Sequence, residues 1–313
     1  MSEAVGLDIG GTKIAALRVD DVGKVLARDV VATPADDSAA IIDAAVQAAG
    51  KVMSSAVTAI GAGVAGMVDH TAGILRYAPN LAWRELPLAE RISAALSLPC
   101  IVDNVAKVAA WGEFLFGAGK GSTDMLLVTV GTGLGGGIIS GGKMYRGAHG
   151  FAGEIGHVIV DPDGPMCGCG NRGCWEQVAA GRAIDRLGRE AVEQHPESML
   201  AQLAEGQKTA VDGKLVTLAA ERGDDIARSI LASVGRRLGQ GMAGLANILD
   251  PDLIIVGGGA VAAGDMLLGP ARAAFRDALE APEHRPEVPI VAAILGNDAG
   301  AIGAAAMALG EAG

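Results

Sequence analysis

Val5-Gly-Leu-Asp-Ile-Gly-Gly-Thr-Lys-Ile-Ala-Ala-Leu-Arg-Val19 reads as two apolar strands on either side of a glycine turn. The same order returns about 120 residues later in Met125-Leu-Leu-Val-Thr-Val-Gly-Thr-Gly-Leu-Gly-Gly-Gly-Ile-Ile-Ser140. Each copy then turns again, through Asp20-Asp-Val-Gly-Lys24 or Gly141-Gly-Lys143, into a further strand. A repeat of this kind predicts two related lobes, each opening with a β-hairpin. Glycines in the turns let backbone N–H groups approach a ligand, and the cleft between two such lobes is where a ligand is expected.

The segments around the two copies fill in an α/β protein. Asp37 to Met53 and Leu88 to Leu96 have the spacing of amphipathic helices, and Ala59 to Asp69 reads as a buried strand and turn. A loop-rich stretch from Tyr145 to Gly173 is followed by mostly helix from Trp175 to Leu249. Leu253 to Val256 is a strand running into Gly257-Gly-Gly259 and another helix, and the tail ends in a small-residue helix that packs closely, back on the first lobe. No low-complexity linker interrupts the chain, so hinges are expected in short connections near Asn104 to Trp111 and Gly296 to Ala301.

Half of the 313 residues are hydrophobic, enough for a substantial core. With 25 Lys and Arg against 36 Asp and Glu, net −11, the chain lacks the charge that draws nucleic acid or anionic membranes, and small molecules are the expected partners. The first residues lack the pattern of a signal peptide and no run of about twenty apolar residues offers a membrane span, so a cytoplasmic protein is expected.

The glycine turns are candidate anion nests: Asp8, Gly10, Gly11, Thr12 and Lys13 in the first copy, Gly131, Thr132, Gly133, Gly135 and Gly136 in the second, with a third turn at Gly257, Gly258 and Gly259. One glycine-rich turn is most often a tight hairpin, whereas matched turns in one chain favour phosphate, with Asp8 placed for magnesium or its water shell. A P-loop spacing is absent. Three of the four cysteines, Cys167, Cys169 and Cys174, fall within eight residues, ten residues after His157. Three thiolates and an imidazole complete a closed tetrahedral zinc shell with no position for a catalytic water, hence a structural zinc. Glu154 and Glu176 flank that loop, and paired acids of this kind grip vicinal sugar hydroxyls. Asn80, a polar residue in an apolar turn, adds an amide to the same polyol. His70 and His149 read as ordinary turn or surface histidines.

On LDIGGTK, GVAGMVD, APNLAW, VTVGTGLGGGII, GAHGFAGEIGH, CGCGNRGCWEQVAAG and DPDLIIVGGG, the chain resembles the ROK family of bacterial sugar kinases and repressors over nearly its whole length, its actinobacterial glucokinases above all. The resemblance implies a two-lobed actin-like ATPase fold, that of hexokinases and sugar kinases, with duplicated lobes around a central cleft. Residues 1–110 would form a small lobe on which helix 300–313 packs back, and residues 111–299 a large lobe carrying the zinc loop. It assigns ATP phosphates to Gly10 to Thr12 and Gly131 to Gly133, and adenosine to Gly257 to Gly259. The sugar goes to Asn80, Asn104, Glu154, His157 and Glu176, with His157 also a zinc ligand, and the γ-phosphoryl of magnesium ATP passes to the 6-hydroxyl of glucose or a related hexose. Dimers or tetramers are usual in such families.

One place departs from the family pattern. Asn104 is a good N-cap for a helix starting at Val105, where the resemblance expects the aspartate that accepts the hydroxyl proton. Valine forfeits a general-base contribution of roughly 10² to 10⁴, leaving positioning and electrostatics. Lys107 replaces a neutral amide in the first turn, where a cation opposes the helix dipole, so a locally more positive cleft favouring nucleotide phosphates is expected. Asp103 is a weak substitute for the base, since one residue's rotation points it elsewhere. The expected function is therefore an impaired glucokinase-like enzyme. The alternatives are an inactive sugar-binding or regulatory pseudokinase, and a kinase for an aminosugar or cyclitol. A DNA-binding repressor is disfavoured by the acidic charge and by the position of Asp8, ahead of which such repressors carry a winged helix.

Overall fold

The first glycine hairpin forms as its pattern requires. In the computed structural model, which describes residues 2–34, 38–78 and 83–311, strand β1 (Glu3–Ile9) pairs antiparallel with β2 (Lys13–Asp20), Ile9 standing opposite Ile14 across the turn. The turn after Asp20 delivers β3 (Val25–Ala32) antiparallel to β2. Helix α1 (Ser38–Val52) carries the chain back, and β4 (Val57–Val64) lies parallel to β1. A small antiparallel sheet of β5 (Met67–Asp69), β6 (Ile74–Ala78) and β7 (Trp83–Leu86) follows, then α2 (Leu88–Leu96) and β8 (Cys100–Asn104), parallel to β4. Helix α3 (Val105–Phe116) starts at the expected residue.

The second hairpin is β9 (Met125–Val130) and β10 (Leu134–Ser140), extended by β11 (Lys143–Met144). After the loop containing the cysteines come α4 (Glu176–Ala179), α5 (Gly181–Gln194), α6 (Met199–Leu203), α7 (Gly213–Glu221) and α8 (Asp225–Leu249), so the expected helical stretch resolves into five helices. Strand β12 (Leu253–Gly257) leads through a short 3-10 turn into α9 (Asp265–Ala278), then β13 (Ile290–Ala292) and α10 (Ala299–Glu311). The two large sheets run β3-β2-β1-β4-β8 and β11-β10-β9-β12-β13. Both therefore follow one plan, a three-strand meander with two more strands beyond its first, which is the repeat legible in the sequence.

Period-two alternation decides what each face of β1 meets. Val5, Leu7 and Ile9 join the buried layer under α1 and α2 with Ile41, Ala45, Ile60 and Ile92. Ala4 faces the opposite way and packs with Ala59, Ala301 and Ala305 of α10. Asp8 shares the face of Ala4, so a carboxylate enters the α10 side of the sheet. No helix among the described residues is long and apolar enough to cross a membrane.

The chain forms two compact units, one of residues 1–127, 136–153 and 293–313, the other of residues 128–135 and 154–292. Residues 111–127, 136–153 and 293–299, which the sequence reading gives to the larger lobe, thus group with the first unit. For residues 111–116 the cause is α3, which continues to Phe116 and lies along α10, where a Cβ on Gly112 would fall 2.7 Å from the Ala299 carbonyl oxygen. The segments expected to hinge form the starts of α3 and α10.

Candidate functional site

In the first unit the glycine turn is closed by Gly10 N donating to Lys13 O at 3.0 Å, and Thr33 is fastened to it through Oγ1 to Gly10 O at 2.6 Å. Asp8 lies below this turn, against the beginning of α10: a Cβ on Gly300 would fall 2.8 Å from its Oδ2. Burial lifts the Asp8 carboxyl from an ordinary 3.8 to about 6, opposed by the charge of Lys13. A carboxyl so lifted is relieved by a cation, and the oxygens of Asp8 are of the kind that magnesium takes.

At the junction of β8 and α3, Asn104 caps the helix: its Oδ1 accepts from Ala106 N at 2.8 Å, and its Nδ2 donates to Gly66 O at 2.9 Å. Val105 follows, half-buried, near the same Gly300 face as Asp8, since a Cβ there would also lie 3.4 Å from Val105 Cγ2. Asp103 is fully buried and committed elsewhere. Its Oδ2 accepts from Arg146 Nε at 2.7 Å, its Oδ1 from Asn104 N at 2.8 Å, and His70 Nδ1 stands 3.6 Å away. As a substitute base it is ruled out by those partners. Lys107 is 2% exposed and donates to Gly150 O, so the expected cation facing nucleotide phosphates is instead enclosed by protein. Asn80 lies outside the described residues.

In the second unit the turn at Gly131 to Gly133 closes with Gly131 N on Gly133 O at 3.0 Å, and Gly181 N at the start of α5 donates to Gly131 O at 2.9 Å. Gly258, at φ +88°, packs so tightly on Val130 that a Cβ would fall 2.5 Å from its carbonyl oxygen, which brings the third glycine turn beside the second. The expected phosphate and adenosine turns of this unit are therefore neighbours.

The cysteine loop is held by short antiparallel bridges, Ile159 to Cys174 and Met166 to Arg172, and by Trp175, whose Nε1 donates to Arg237 O at 2.9 Å on α8. His157, Cys167, Cys169 and Cys174 offer ligand atoms all within 4.8 Å of one another, with Cys167 Sγ 3.6 Å from His157 Nδ1 and Cys169 Sγ 3.5 Å from Cys174 Sγ. A tetrahedral zinc with bonds of about 2.3 Å to sulfur separates its sulfurs by about 3.8 Å, so the four residues fit the ion. Burial pushes the Cys174 thiol up to about 12, aided by its neighbouring thiols, and raises Cys167 as well. Cys169 is lowered: burial raises it, but the backbone N–H of Asn171 and the other two thiols outweigh that. Such a clustered set of thiols has the donor chemistry of a metal site.

Glu176, 8% exposed, adjoins this cluster. Its Oε1 accepts from Cys167 Sγ at 3.2 Å and Gln177 Nε2 at 3.1 Å, while its Oε2 faces the glycine turn, 2.5 Å from where a Cβ on Gly133 would lie. Glu154 is exposed, and its carbonyl accepts from His157 N at 3.1 Å. Fold and site together now meet a family pattern: the model of the ROK family matches residues 4–311. The chain belongs to the ROK family. It is 43% identical to a glucokinase of Streptomyces coelicolor over 98% of each chain. It is 32% identical to an N-acetylmannosamine kinase of Escherichia coli, again over 98% of each. A crystal structure of a ROK family glucokinase from Streptomyces griseus, in complex with glucose and AMPPNP, superposes with a TM-score of 0.90 at 44% identity, covering 99% of this chain and 100% of that one.

Within this ROK chain the sequence reading missed Arg146, Gly66 and His70 as partners of Asp103 and Asn104. Arg146 lies 43 residues from Asp103, and no periodicity joins them. The one signal was chemical, since an aspartate at the end of a buried strand requires a cation or several donors.

Proposed function

We propose that the protein is an ATP-dependent kinase transferring the γ-phosphoryl group to the 6-hydroxyl of glucose, slowed by Val105. What carries this reading is identity above 40% to glucokinases from end to end of the chain. The glycine turns at Gly10 to Thr12 and Gly131 to Gly133 are assigned to ATP phosphates, with Lys13 near the first and Gly257 to Gly259 at the adenosine end. Asn80 and Asn104, with Glu154, His157 and Glu176, are assigned to the sugar. Backbone N–H groups of the turns hold phosphate oxygens, and the carboxylates orient hydroxyls by accepting from them. Magnesium held near Asp8 would neutralise charge on the transferring group.

A zinc ion held by His157, Cys167, Cys169 and Cys174 is proposed as structural: all four positions are filled by protein, so it would brace the loop between Glu154 and Glu176. Three cysteines given to zinc and a distant Cys100 outside any disulfide suit a reducing compartment, and a cytoplasmic homo-oligomer, dimer or tetramer, is the assignment. Val105 specifically favours a second reading, a sugar-binding pseudokinase. The relation to an N-acetylmannosamine kinase adds an aminosugar as a further substrate to assay.

Steady-state assay of the purified protein with ATP, magnesium and glucose, N-acetylmannosamine or other hexoses, beside Val105→Asp, separates these. Slow glucose phosphorylation raised by the aspartate supports the kinase reading. Turnover at ordinary sugar-kinase rates without it sinks the impairment. Glucose binding with no phosphoryl transfer in either protein favours the pseudokinase.

A further inference from the structure

We propose that Lys107 is a positioning residue, which with the Arg146–Asp103 pair pins the segment from Arg146 to Gly153 at Arg146 and at Gly150 and so sets sugar affinity through Glu154, the residue that follows it. The step to sugar affinity rests on the sugar assignment above; the pinning does not.

Lys107 is an α3 residue whose ammonium is enclosed, and an enclosed ammonium is strongly penalised unless it is hydrogen-bonded. It finds the carbonyl oxygen of Gly150, and its Cε passes 3.7 Å from where a Cβ on Gly153 would stand. At the other end, Arg146 Nε donates to the fully buried Asp103 at 2.7 Å, two residues before α3 begins. The segment these anchors hold forms neither helix nor strand and turns through Gly147, Gly150 and Gly153 at φ +73°, +84° and +91°. A glycine-rich stretch with positive φ has high entropy when loose, so its order depends on the groups that hold it. Both anchors come from the β8–α3 junction, which also presents Asn104 and Val105. A neutral amide at position 107 is too short to reach as a lysine does and brings no charge, so the cation is what makes this chain's clasp.

Hydrogen exchange by mass spectrometry on the ligand-free protein and calorimetric titration with glucose, each on the unaltered chain, Lys107→Met and Lys107→Arg, test the proposal. In Lys107→Met, amides of residues 147–153 should exchange about tenfold faster or more, the factor expected from losing a hydrogen bond to a charged group, while those of α8 stay unchanged. Glucose affinity should fall by a similar factor, ATP affinity by less than about twofold, and Lys107→Arg should recover most of both. Unchanged exchange at 147–153, or glucose and ATP weakened equally, overturns the proposal. If Lys107→Met does not fold, Lys107→Gln is judged by the same readouts. Failure of the unaltered protein to bind glucose overturns the sugar assignment and the affinity arm, while the exchange arm still decides whether Lys107 pins the segment.

Discussion

Val105 stands where the first turn of a helix would stabilise a carboxylate, and its side chain adjoins the face of Gly300 that Asp8 also meets. Val105→Asp should therefore raise kcat for glucose by roughly 10² to 10⁴ with little change in glucose affinity, because a base acts only as the proton moves. Steady-state kinetics with a glucose titration checks it, and a rise below threefold would remove the impairment proposed for Val105. Asp8 carries a second expectation. Its carboxyl sits at about 6 in the fold against 3.8 ordinarily, so the folded state holds this proton more tightly than the unfolded chain. The resulting stability is fully present below pH 3.8 and is lost as pH rises through about 6, a difference on the order of 3 kcal/mol. Asp8→Asn should raise the metal-free unfolding free energy at pH 7.5 by up to that order, with the gain vanishing near pH 4, and should abolish turnover. Denaturant melts at both pH values, without magnesium, decide it.

At the scale of elements, α10 approaches the first sheet at backbone distance. A Cβ on Gly6 or Gly61 would run into the carbonyl groups of Ala301 or Ala304, and one on Gly303 into that of Val108. Gly61→Val should thus cost about 1–3 kcal/mol or more through overpacking. Gly50→Ala, near the end of α1 with nothing within 4 Å of the new methyl, should stabilise by about 0.5–1 kcal/mol. Paired urea melts compare the two, and equal effects would mean that α10 does not pack as closely as the backbone shows. What was legible at this scale was local: α2 begins and ends at the residues its apolar spacing marks, and Asn104 caps α3 because its side chain can reach Ala106 N. The small-residue tail announced close packing. It was expected on the first lobe, but its particular partners on β1 and β4 lie hundreds of residues away and were not readable, nor was the Arg146–Asp103 pair, because tertiary contacts leave no period in the chain. The length of α3 likewise moved the division between units away from residue 110.

For the whole molecule, the duplicated sheet order was readable from two glycine hairpins, and the meeting of His157 with Cys167, Cys169 and Cys174 from cysteine spacing, since ligand chemistry limits what such residues do together. The proposed zinc is where local chemistry and global stability would meet. Without it, buried thiols at Cys167 and Cys174 hold their protons, and the Cys167 thiol donates to Glu176. Zinc requires thiolates, so binding should release protons and relieve that claim on Glu176. It should also stabilise the fold in proportion to its free concentration over its dissociation constant. The native protein should contain one zinc per chain by elemental analysis. Stripping it should lower the unfolding midpoint by roughly 5–10 °C, the shift expected from about 3 kcal/mol in a chain of this size, and weaken glucose binding. Cys169→Ser should show the lowered midpoint without chelator and no further response to it. A metal-free protein with an unchanged midpoint would leave three thiols and an imidazole with no metal to hold and return the ordering of the loop to Trp175 and the short bridges at Ile159 and Met166.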